Sequence, residues 1–574
     1  MEPYRMVKDS QGRPKLLVPY RGARLIAHPV YNKGTSFSRE ERAAFGLEGL
    51  LPSIVGTLEQ QAARAYASIR RKEDPLEKYI GLSALQERNE TLFYRVLLDH
   101  LEELLPIVYT PTVGRACQEF SHIYRRGRGL WITSDHAGRM DQVLANAPFD
   151  DVRLLVITDN ERILGLGDLG AGGMGIPIGK LAIYTAAAGI HPSQTLPISF
   201  DVGTDNQALL DDELYVGHRQ RRLRGPAYDA LLEELVQAIR RRFPRALVQW
   251  EDFKKVNAFN VMERYRDVLP SFNDDIEGTA AVALAGMLTG ARITGTPVTE
   301  QRIVVLGAGA AGVGIARLIR AELVRQGLGG EALTAAIACL DSQGLLVDDR
   351  RIDDEHKREF TWPAALAAAR GLGKGDRDLT AVVRALRPTV LIGTSGEPGT
   401  FSEATIRAMA AGVDRPVVMP MSNPSSMSEA TPADIIAWTD GRALVGTGSP
   451  FDPVRHGGRW IRIGQANNAF IFPGVGLGAL VVEARRVTET MFLAAAERLA
   501  AVMSAEDLAD GTLFPAISRI RRVTSAVAAS VARAAREAGV AGRPIADDAL
   551  PAAITEAMWD PAYLPMEPAP PTSA

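Results

Sequence analysis

The spacing of hydrophobic residues divides the chain into a helical first part and a longer second part in which strands and helices alternate. From Leu58 to Leu105, apolar residues recur at helical intervals, with breaks at Pro75 and Pro106. This pattern predicts a mainly helical N-terminal domain. Residues 1 to about 50 are rich in Arg, Gly and Pro and show little periodicity, so we expect an irregular lead-in.

Short apolar runs separated by amphipathic helices predict α/β units in the rest of the chain. Ile107 to Tyr109 is predicted to be a short strand, followed by a helix that opens at Thr110-Pro111. A strand end beside a helix start suits a catalytic side chain, but Tyr109 alone is more typical of a packing residue whose hydroxyl finds a partner. Further strands are predicted at Leu154 to Thr158, Ala246 to Trp250, Ile303 to Leu306, Ala335 to Leu340, Val390 to Ile392, Pro416 to Met419 and Ala443 to Gly446.

Amphipathic patterns also place the later helices. One is predicted from Pro226 to Phe243, and its arginine-rich end suits a helix C-terminus. Helices are expected to continue to about Ala538, and the Pro-rich tail from Pro561 is predicted to be poorly ordered.

Four acidic residues lie in apolar surroundings between Gln249 and Thr279. They form two pairs, Glu251-Asp252 and Asp274-Asp275, each flanked by aromatic or apolar residues. A buried carboxylate needs a partner, and hard cations such as Mg²⁺ or Mn²⁺ take oxygen ligands of this kind. The stretch fits two interpretations equally well: a metal site, or two N-caps in which Asp252 and Asp275 each begin a helix.

A glycine-rich loop from Gly165 to Gly175 implies backbone that approaches another group closely or adopts positive φ. Its first part, G-L-G-D-L-G, matches the dinucleotide pattern, but no helix starts at its second glycine, so we interpret it as a substrate-side loop. Lys180 follows, on the first turn of an apolar helix that begins around Ile176. It fits either a general base in an apolar pocket or a lysine whose stem extends to solvent.

The dinucleotide signature is complete at Gly307, Gly309 and Gly312, which follow a predicted strand and open a helix. These glycines permit the tight turn, the close approach of a pyrophosphate and helix packing. Asp341 ends the next strand and is predicted to bind the adenosine ribose hydroxyls, which favours NAD. NADP is the alternative coenzyme, because several residues close to Asp341 would suit a 2′-phosphate: Ser342, Arg350, Arg351, Lys357 and Arg358.

Asparagines at two places complete the candidate ligand contacts. Asn423 is predicted at the carboxyl end of a strand, where it suits a nicotinamide or ribose contact, with helix capping as the alternative. The pair Asn467-Asn468 suits a contact with a substrate carboxylate or carboxamide, with a turn as the alternative.

Composition indicates a soluble protein. The 574 residues carry a formal net charge of −3, which gives no electrostatic reason to expect nucleic acid or an anionic membrane as a partner. We predict neither a signal peptide nor a membrane span. Cys117 and Cys339 lie far apart in apolar or helical patterns, so we expect no disulfide framework and a cytoplasmic location.

Five motifs occur in one order between Val108 and Gly312: V-Y-T-P-T-V-G, I-T-D-N-E-R-I-L-G-L-G-D-L-G, W-E-D-F, F-N-D-D-I-E-G-T and G-A-G-A-A-G. In order and spacing they resemble the malic enzymes of the large-subunit type, with small departures at Asn160 and Ala466. Similar sequence extends on both sides of these motifs, from P-L-E-K-Y at Pro75 through N-N-A-F-I-F-P-G at 467–474. The resemblance implies oxidative decarboxylation of (S)-malate to pyruvate and CO₂, with reduction of NAD and with Mn²⁺ or Mg²⁺. The alternatives are an NADP-preferring malic enzyme, a malolactic enzyme that releases lactate, and a non-catalytic NAD-binding regulator.

The resemblance also implies a role for individual residues. Glu251, Asp252 and Asp275 are expected to bind the metal, Lys180 to be the general base assisted by Asp274, and Tyr109 to be the general acid. The expected substrate contacts are Arg162, Asn423 and Asn467, and the expected coenzyme contacts are Arg162, Asp275, Gly307, Gly309, Gly312, Asp341 and Asn423. Arg64 and Arg88 match arginines that bind an activating dicarboxylate in some animal relatives, but two arginines do not establish regulation.

The implied fold is α/β and has four successive parts. They are a helical N-terminal domain at residues 1–127, a parallel-sheet malate- and metal-binding domain at 128–276, a Rossmann-type NAD(P)-binding domain at 277–463, and C-terminal helices with a Pro-rich tail at 464–574. The last part is expected to return to the substrate domain. A homodimer or homotetramer is the assembly that the resemblance implies.

Overall fold

The computed structural model describes residues 5–8, 11–163 and 165–570. It divides into two compact units, Met1–Gln249 with Thr555–Ala574, and Trp250–Ile554. Helices alternate with parallel strands, which confirms the predicted α/β class, whereas the four predicted domain boundaries stay a prediction. Among the described helices, none combines the length and the hydropathy that a membrane crossing requires.

Seventeen strands are present in the described residues, and the predicted apolar runs other than Ile107 to Tyr109 form strands within a residue or two of their expected bounds. In chain order they are β1 Arg5–Lys8, β2 Pro14–Val18, β3 Leu130–Ile132, β4 Leu154–Thr158, β5 Thr195–Phe200, β6 Leu247–Trp250, β7 Ser271–Asn273, β8 Ile303–Leu306, β9 Ile337–Asp341, β10 Gly344–Leu345, β11 Val390–Gly393, β12 Val417–Pro420, β13 Leu444–Thr447, β14 Val454–His456, β15 Arg459–Ile461, β16 Gly464–Gln465 and β17 Met566–Pro568.

The helices of the first unit are Gly22–Ile26, Arg39–Phe45, Leu58–Arg70, Pro75–Gln86, Glu90–Asp99, Leu101–Val108, Thr112–Gln118, Phe120–Ile123, Met140–Leu144, Gly175–Ile183, Gln207–Asp211 and Pro226–Arg242. Those of the second unit are Lys255–Tyr265, Thr279–Thr294, Ala310–Arg325, Gly330–Ala336, Glu355–Arg358, Ala364–Ala369, Leu379–Leu386, Glu403–Gly412, Pro432–Trp438, Phe472–Val481, Glu489–Ala501, Ala505–Ala509 and Ile520–Glu537. The helix Leu550–Ala557 contains the boundary between the two units.

The strand predicted at Ile107 to Tyr109 is wrong. Leu101–Val108 is a helix, and Tyr109 follows its last residue. The reason is helical periodicity, because Leu101, Leu104, Leu105 and Val108 recur on one face and are all buried. The predicted helix after Thr110-Pro111 is present as Thr112–Gln118.

The expectation of irregular structure at both ends of the chain is also wrong. In the N-terminal region, β1 pairs antiparallel with β2, and the Pro-rich tail contributes β17, which pairs parallel with β2. Apolar residues from both ends share one buried cluster that includes Leu16, Phe37 and Met566. These contacts join residues more than 500 positions apart, which local periodicity does not register. Residues 571–574 of the predicted tail lie outside the described residues.

In the first unit, four strands lie in the order β3-β5-β4-β6. The pairs β3 with β5 and β4 with β5 are parallel, so these strands point their carboxyl ends to one edge. All five residues of β4 are buried, as expected for a strand covered on both faces. The chain leaves β4 at Asp159 and thereby places the Asp159–Arg162 turn at this edge.

The second unit contains a seven-stranded sheet in the order β10-β9-β8-β11-β12-β13-β16. Every pair is parallel except β9 with β10. The chain passes from β8 to β9 on one side and later places β11 on the other side of β8. The strand order therefore reverses between β8 and β11, which is the position where open α/β sheets bind ligands.

Candidate active site

Three carboxylates come together in the second unit. Glu251 and Asp252 follow β6, Asp275 lies in the short helix after β7, and one oxygen from each lies within 4.8 Å of the others. Glu251 and Asp252 are 2% and 5% exposed. The backbone N–H of Asp252 also donates to Asp275 Oδ2 at 2.7 Å, which ties the two segments together. Three gathered oxygen ligands fit a hard divalent cation.

The alternative in which these acids cap helices is wrong. The helix after Asp252 begins at Lys255, and its N-cap residue is Lys254. Asp252 instead has a φ of 57°, which turns the chain sharply after β6. In the second segment Asn273, not Asp275, is the N-cap, because its side chain accepts from the N–H of Ile276.

Asp274 lies beside the cluster and is fully buried. Asn468 Nδ2 donates to Asp274 Oδ2 at 3.0 Å and to Thr279 Oγ1 at 3.0 Å. A Cβ atom at position 278 would lie 1.7 Å from Asp274 Oδ1, so Gly278 is required for this carboxylate position. Asn467, the predicted substrate contact, caps the next turn, whereas its neighbour Asn468 contacts Asp274.

Lys180 and Tyr109 lie together in the first unit. Lys180 is 2% exposed, so the interpretation in which its stem extends to solvent is wrong. Its Nζ lies 5.3 Å from the centroid of the Tyr109 ring, within the range of a cation–π interaction. Gly179 permits this approach, because a Cβ there would lie 2.9 Å from the carbonyl oxygen of Val108. Lys180 occupies the second turn of the helix Gly175–Ile183 rather than the first.

Arg162 is the last residue of the turn that follows β4 and is exposed. Asn160, in that turn, has a φ of 64° and donates from Nδ2 to Ser199 Oγ at 2.9 Å. The glycine loop packs against this turn, since a Cβ at Gly173 would lie 2.4 Å from Asn160 Oδ1. Between this turn and the loop, Ile163 and Gly167 form a single antiparallel bridge.

A buried arginine that the sequence analysis missed holds the turn and the loop together. Arg222 donates from Nη1 to the carbonyl oxygen of Asp159 at 2.6 Å, and from Nη2 and Nε to the carboxylate of Asp168 at 2.8 Å and 3.1 Å. Burial raises the pKa of Asp159, with Arg222 opposing that shift. The signal for this residue was an aperiodic segment of 25 residues between Phe200 and Pro226, because long loops in compact domains are commonly functional.

The glycine turn after β8 has the geometry of a dinucleotide site. Gly307 has a φ of 104°, and a Cβ at Gly312 would lie 1.9 Å from the carbonyl oxygen of Gly307. A Cβ at Gly309 would meet no heavy atom within 4 Å, so that position is open to an incoming group. The helix Ala310–Arg325 begins there and directs its N-terminal N–H groups to the same place. These residues fit a bound pyrophosphate.

Asp341 ends β9 and is paired with two of the nearby cations. Arg350 Nη2 lies 2.7 Å from Asp341 Oδ1, and Lys357 Nζ lies 3.0 Å from Asp341 Oδ2. Burial alone would raise the pKa of Asp341, but hydrogen bonds from Lys357, the N–H of Gln343 and Arg350 hold it below its usual value. Two of the cations that would suit a 2′-phosphate therefore neutralise the acid that favours NAD.

Asn423 lies beyond the carboxyl end of β12, as predicted. Its Oδ1 accepts a hydrogen bond from Ser449 Oγ at 2.6 Å, which joins the loops after β12 and β13. The capping alternative receives no support, because the short helix after it has Pro424 as its N-cap residue.

Comparison with known proteins agrees with this geometry. The family described as Malic enzyme, N-terminal domain, matches residues 86–266, and the family described as Malic enzyme, NAD binding domain, matches residues 276–536. The chain is 48% identical over 563 residues to a Vibrio parahaemolyticus protein named NAD-dependent malic enzyme, covering 97% of this chain and 98% of that protein. An Acinetobacter baylyi protein of the same name is 46% identical over 548 residues, covering 96% and 97%.

A solved structure supports the fold. The crystal structure of Entamoeba histolytica malic enzyme aligns with a TM-score of 0.57 at 23% identity, covering 89% of this chain and 91% of that one. Two family matches and relatives aligned over nearly their whole length establish that this chain belongs to the malic enzyme family.

Proposed function

We propose that the protein catalyses the oxidative decarboxylation of (S)-malate to pyruvate and CO₂ with reduction of NAD, and that it requires Mn²⁺ or Mg²⁺. The observation that carries this proposal is the gathering of Glu251, Asp252 and Asp275 in a chain of this family. The relatives named NAD-dependent malic enzyme support the same activity and do not favour the NADP-preferring or malolactic alternatives.

Each residue of the candidate site has a chemical role in this reaction. Lys180 removes the proton from the C2 hydroxyl of malate, and its burial against the Tyr109 ring suits a base shielded from water. Tyr109 returns a proton to C3 after CO₂ leaves. Arg162 pairs with a substrate carboxylate. Asp274, held by Asn468, assists Lys180 as a positioning residue.

The carboxylates of Glu251, Asp252 and Asp275 would hold the divalent cation, and the Gly307–Gly312 turn with Asp341 would hold NAD. When bound, NAD accepts a hydride from C2, and the cation stabilises negative charge on the C2 oxygen. Asn423 and Asn467 are assigned to coenzyme and substrate contacts. The same family resemblance supports a homodimer or homotetramer in the cytoplasm.

Product analysis tests this proposal. Purified protein with malate, NAD and Mn²⁺ is expected to form pyruvate and NADH in equal amounts. Lactate without net NADH would instead indicate a malolactic enzyme. NADH binding without any loss of malate would indicate a non-catalytic regulator.

A further inference from the structure

Glu429 is a buried carboxylate that the sequence analysis did not single out, and it is 0% exposed. Its Oε1 accepts from the N–H of Ser395 at 2.8 Å, from Ser395 Oγ at 2.9 Å and from Ser422 Oγ at 2.5 Å. Its Oε2 accepts from the N–H of Ser422 at 3.4 Å. Burying a carboxylate costs free energy unless such hydrogen-bond donors compensate, so the donors around this position favour a charged acceptor.

The donors come from loops at the carboxyl ends of two adjacent strands. Ser395 follows β11, and Ser422 follows β12. A Cβ at Gly393, the last residue of β11, would lie 2.6 Å from Glu429 Cδ, so this glycine leaves the space that the carboxylate occupies. Open α/β sheets bind their ligands at this edge. Glu429 therefore cross-links two loops at the edge where a coenzyme is expected.

Both loops contact or carry coenzyme residues of the proposed site. The hydroxyl of Thr394, next to Ser395, donates to the carbonyl oxygen of Gly307 at 2.9 Å. The loop after β12 carries Asn423, directly after Ser422. Glu429 consequently fixes one loop against the glycine turn and the other at the residue assigned to the coenzyme.

The carboxylate also determines the direction in which two serine hydroxyl groups form hydrogen bonds. Because a carboxylate only accepts, both serine hydroxyls donate to it and keep their lone pairs for other donors. Ser422 Oγ accepts from the N–H of Gly396 at 2.9 Å, and Ser395 Oγ accepts from the N–H of Glu397 at 3.2 Å. An amide at position 429 would bring an NH₂ group into this set of donors. With its NH₂ group at the Oε2 position, this amide would face the N–H of Ser422, and a neutral oxygen would replace the charged acceptor of the other three hydrogen bonds.

We propose that Glu429 is a positioning residue for coenzyme binding, which holds the Thr394–Gly396 and Met421–Asn423 loops in the arrangement that receives NAD. This inference rests on the proposed NAD-dependent function. It concerns affinity for the coenzyme, since Glu429 itself is fully buried beneath the two loops.

The test compares full-length wild type with Glu429→Gln at a temperature well below the unfolding midpoint of both. NADH affinity is measured by the change in NADH fluorescence, and Mn²⁺ affinity by the electron paramagnetic resonance signal of free Mn²⁺. We expect NADH to bind about tenfold or more weakly, as the loss of one charged hydrogen-bond acceptor implies. Mn²⁺ affinity should stay unchanged. The KM for NAD should rise in parallel with the NADH Kd.

Glu403→Gln is the matched control, because Glu403 is an exposed acid of the same unit that pairs with Arg407 at 2.7 Å. It should leave NADH affinity unchanged. A lower unfolding midpoint of Glu429→Gln with wild-type NADH affinity would overturn the inference, since that outcome describes a purely structural residue.

If Glu429→Gln does not fold, Ser422→Ala is the variant that tests the inference. It keeps the carboxylate but removes the hydroxyl that Glu429 shares with Gly396. Weaker NADH binding in Ser422→Ala supports the inference, and unchanged binding contradicts it. A wild-type protein that does not bind NADH would refute the proposed function itself, whereas equal, tight binding by wild type and variants would refute only the role of Glu429.

Discussion

Asp341→Asn should shift the coenzyme preference of this protein from NAD towards NADP. The carboxylate of Asp341 ends β9 and is held by Arg350 at 2.7 Å and Lys357 at 3.0 Å. The substitution removes the charged acceptor assigned to the ribose hydroxyls. It also leaves two cations without that counter-charge at the position that is expected to receive the 2′-phosphate of NADP.

The magnitude follows from these two effects. A hydrogen bond to a charged group contributes about 2 kcal/mol, which is the expected loss of binding free energy for NAD. Each partly exposed cation contributes about 0.5 kcal/mol when it pairs with a phosphate, or about 1 kcal/mol for the two together. The combined change of about 3 kcal/mol corresponds to a shift of roughly 150-fold in the ratio of kcat/KM for NAD to that for NADP.

The assay is the initial rate of absorbance increase at 340 nm with malate and Mn²⁺, at varied NAD or NADP. Asp414→Asn is the matched control, because Asp414 lies in the same unit, is 91% exposed and pairs with Arg442, which is not among the cations near Asp341. It should keep the wild-type ratio. An unchanged ratio in Asp341→Asn would refute the assignment of Asp341 to the coenzyme ribose.

Three further predictions address the base, the metal and the response to pH. Lys180→Ala should lower kcat by about 10²–10⁴-fold, the usual contribution of a general base, while NADH affinity stays unchanged; a kcat within threefold of wild type would contradict the assignment. Asp275→Asn should weaken Mn²⁺ binding, measured by electron paramagnetic resonance, by at least about tenfold because one of three carboxylates is lost; wild-type Mn²⁺ affinity would contradict it. Burial lowers the pKa of His191 to about 3. Between this value and the unfolded-state pKa of about 6.5, the unfolded chain binds more protons than the folded chain, so the free energy of unfolding falls as pH falls. From pH 7 to pH 5 this titration lowers the free energy of unfolding by about 2 kcal/mol. The unfolding midpoint of His191→Gln should therefore drop less than that of wild type over the same range. An equal drop would contradict the assignment of this pH dependence to His191.

The sequence predicts the strands of the parallel sheets well because buried apolar runs bounded by turns leave few alternatives. β4, β8 and β11 lie within a residue of their predicted bounds. The prediction fails at Ile107 to Tyr109, where β-branched residues suggested a strand but helical burial of Leu104 and Val108 decides the structure. It also fails for β2 and β17, whose pairing joins the two ends of the chain.

The residues of the candidate site also differ in whether local sequence predicts them. The acidic residues Glu251, Asp252 and Asp275 among apolar neighbours left a metal site and helix caps equally open. The resemblance to the malic enzymes predicted them as metal ligands, and the structure brings their oxygens together. The partners of Arg222, Asn468 and Glu429 could not be predicted from local patterns, because each residue forms hydrogen bonds to residues that are distant in sequence or lie in separate loops. Arg222 reaches Asp159 across 63 positions, and Asn468 reaches Asp274 across 194. Such hydrogen-bond partners can be identified only from the folded structure.

The most direct test of the proposed activity is absorbance at 340 nm with purified protein, malate and NAD, recorded with Mn²⁺ and again after chelation with EDTA. Pyruvate is assayed in the same samples, and NADP is tested in parallel. We predict Mn²⁺-dependent formation of NADH that matches pyruvate mole for mole and is faster with NAD than with NADP. Malate consumption without net NADH, or NADH formation that persists unchanged in EDTA, would contradict the proposed metal-dependent oxidative decarboxylation.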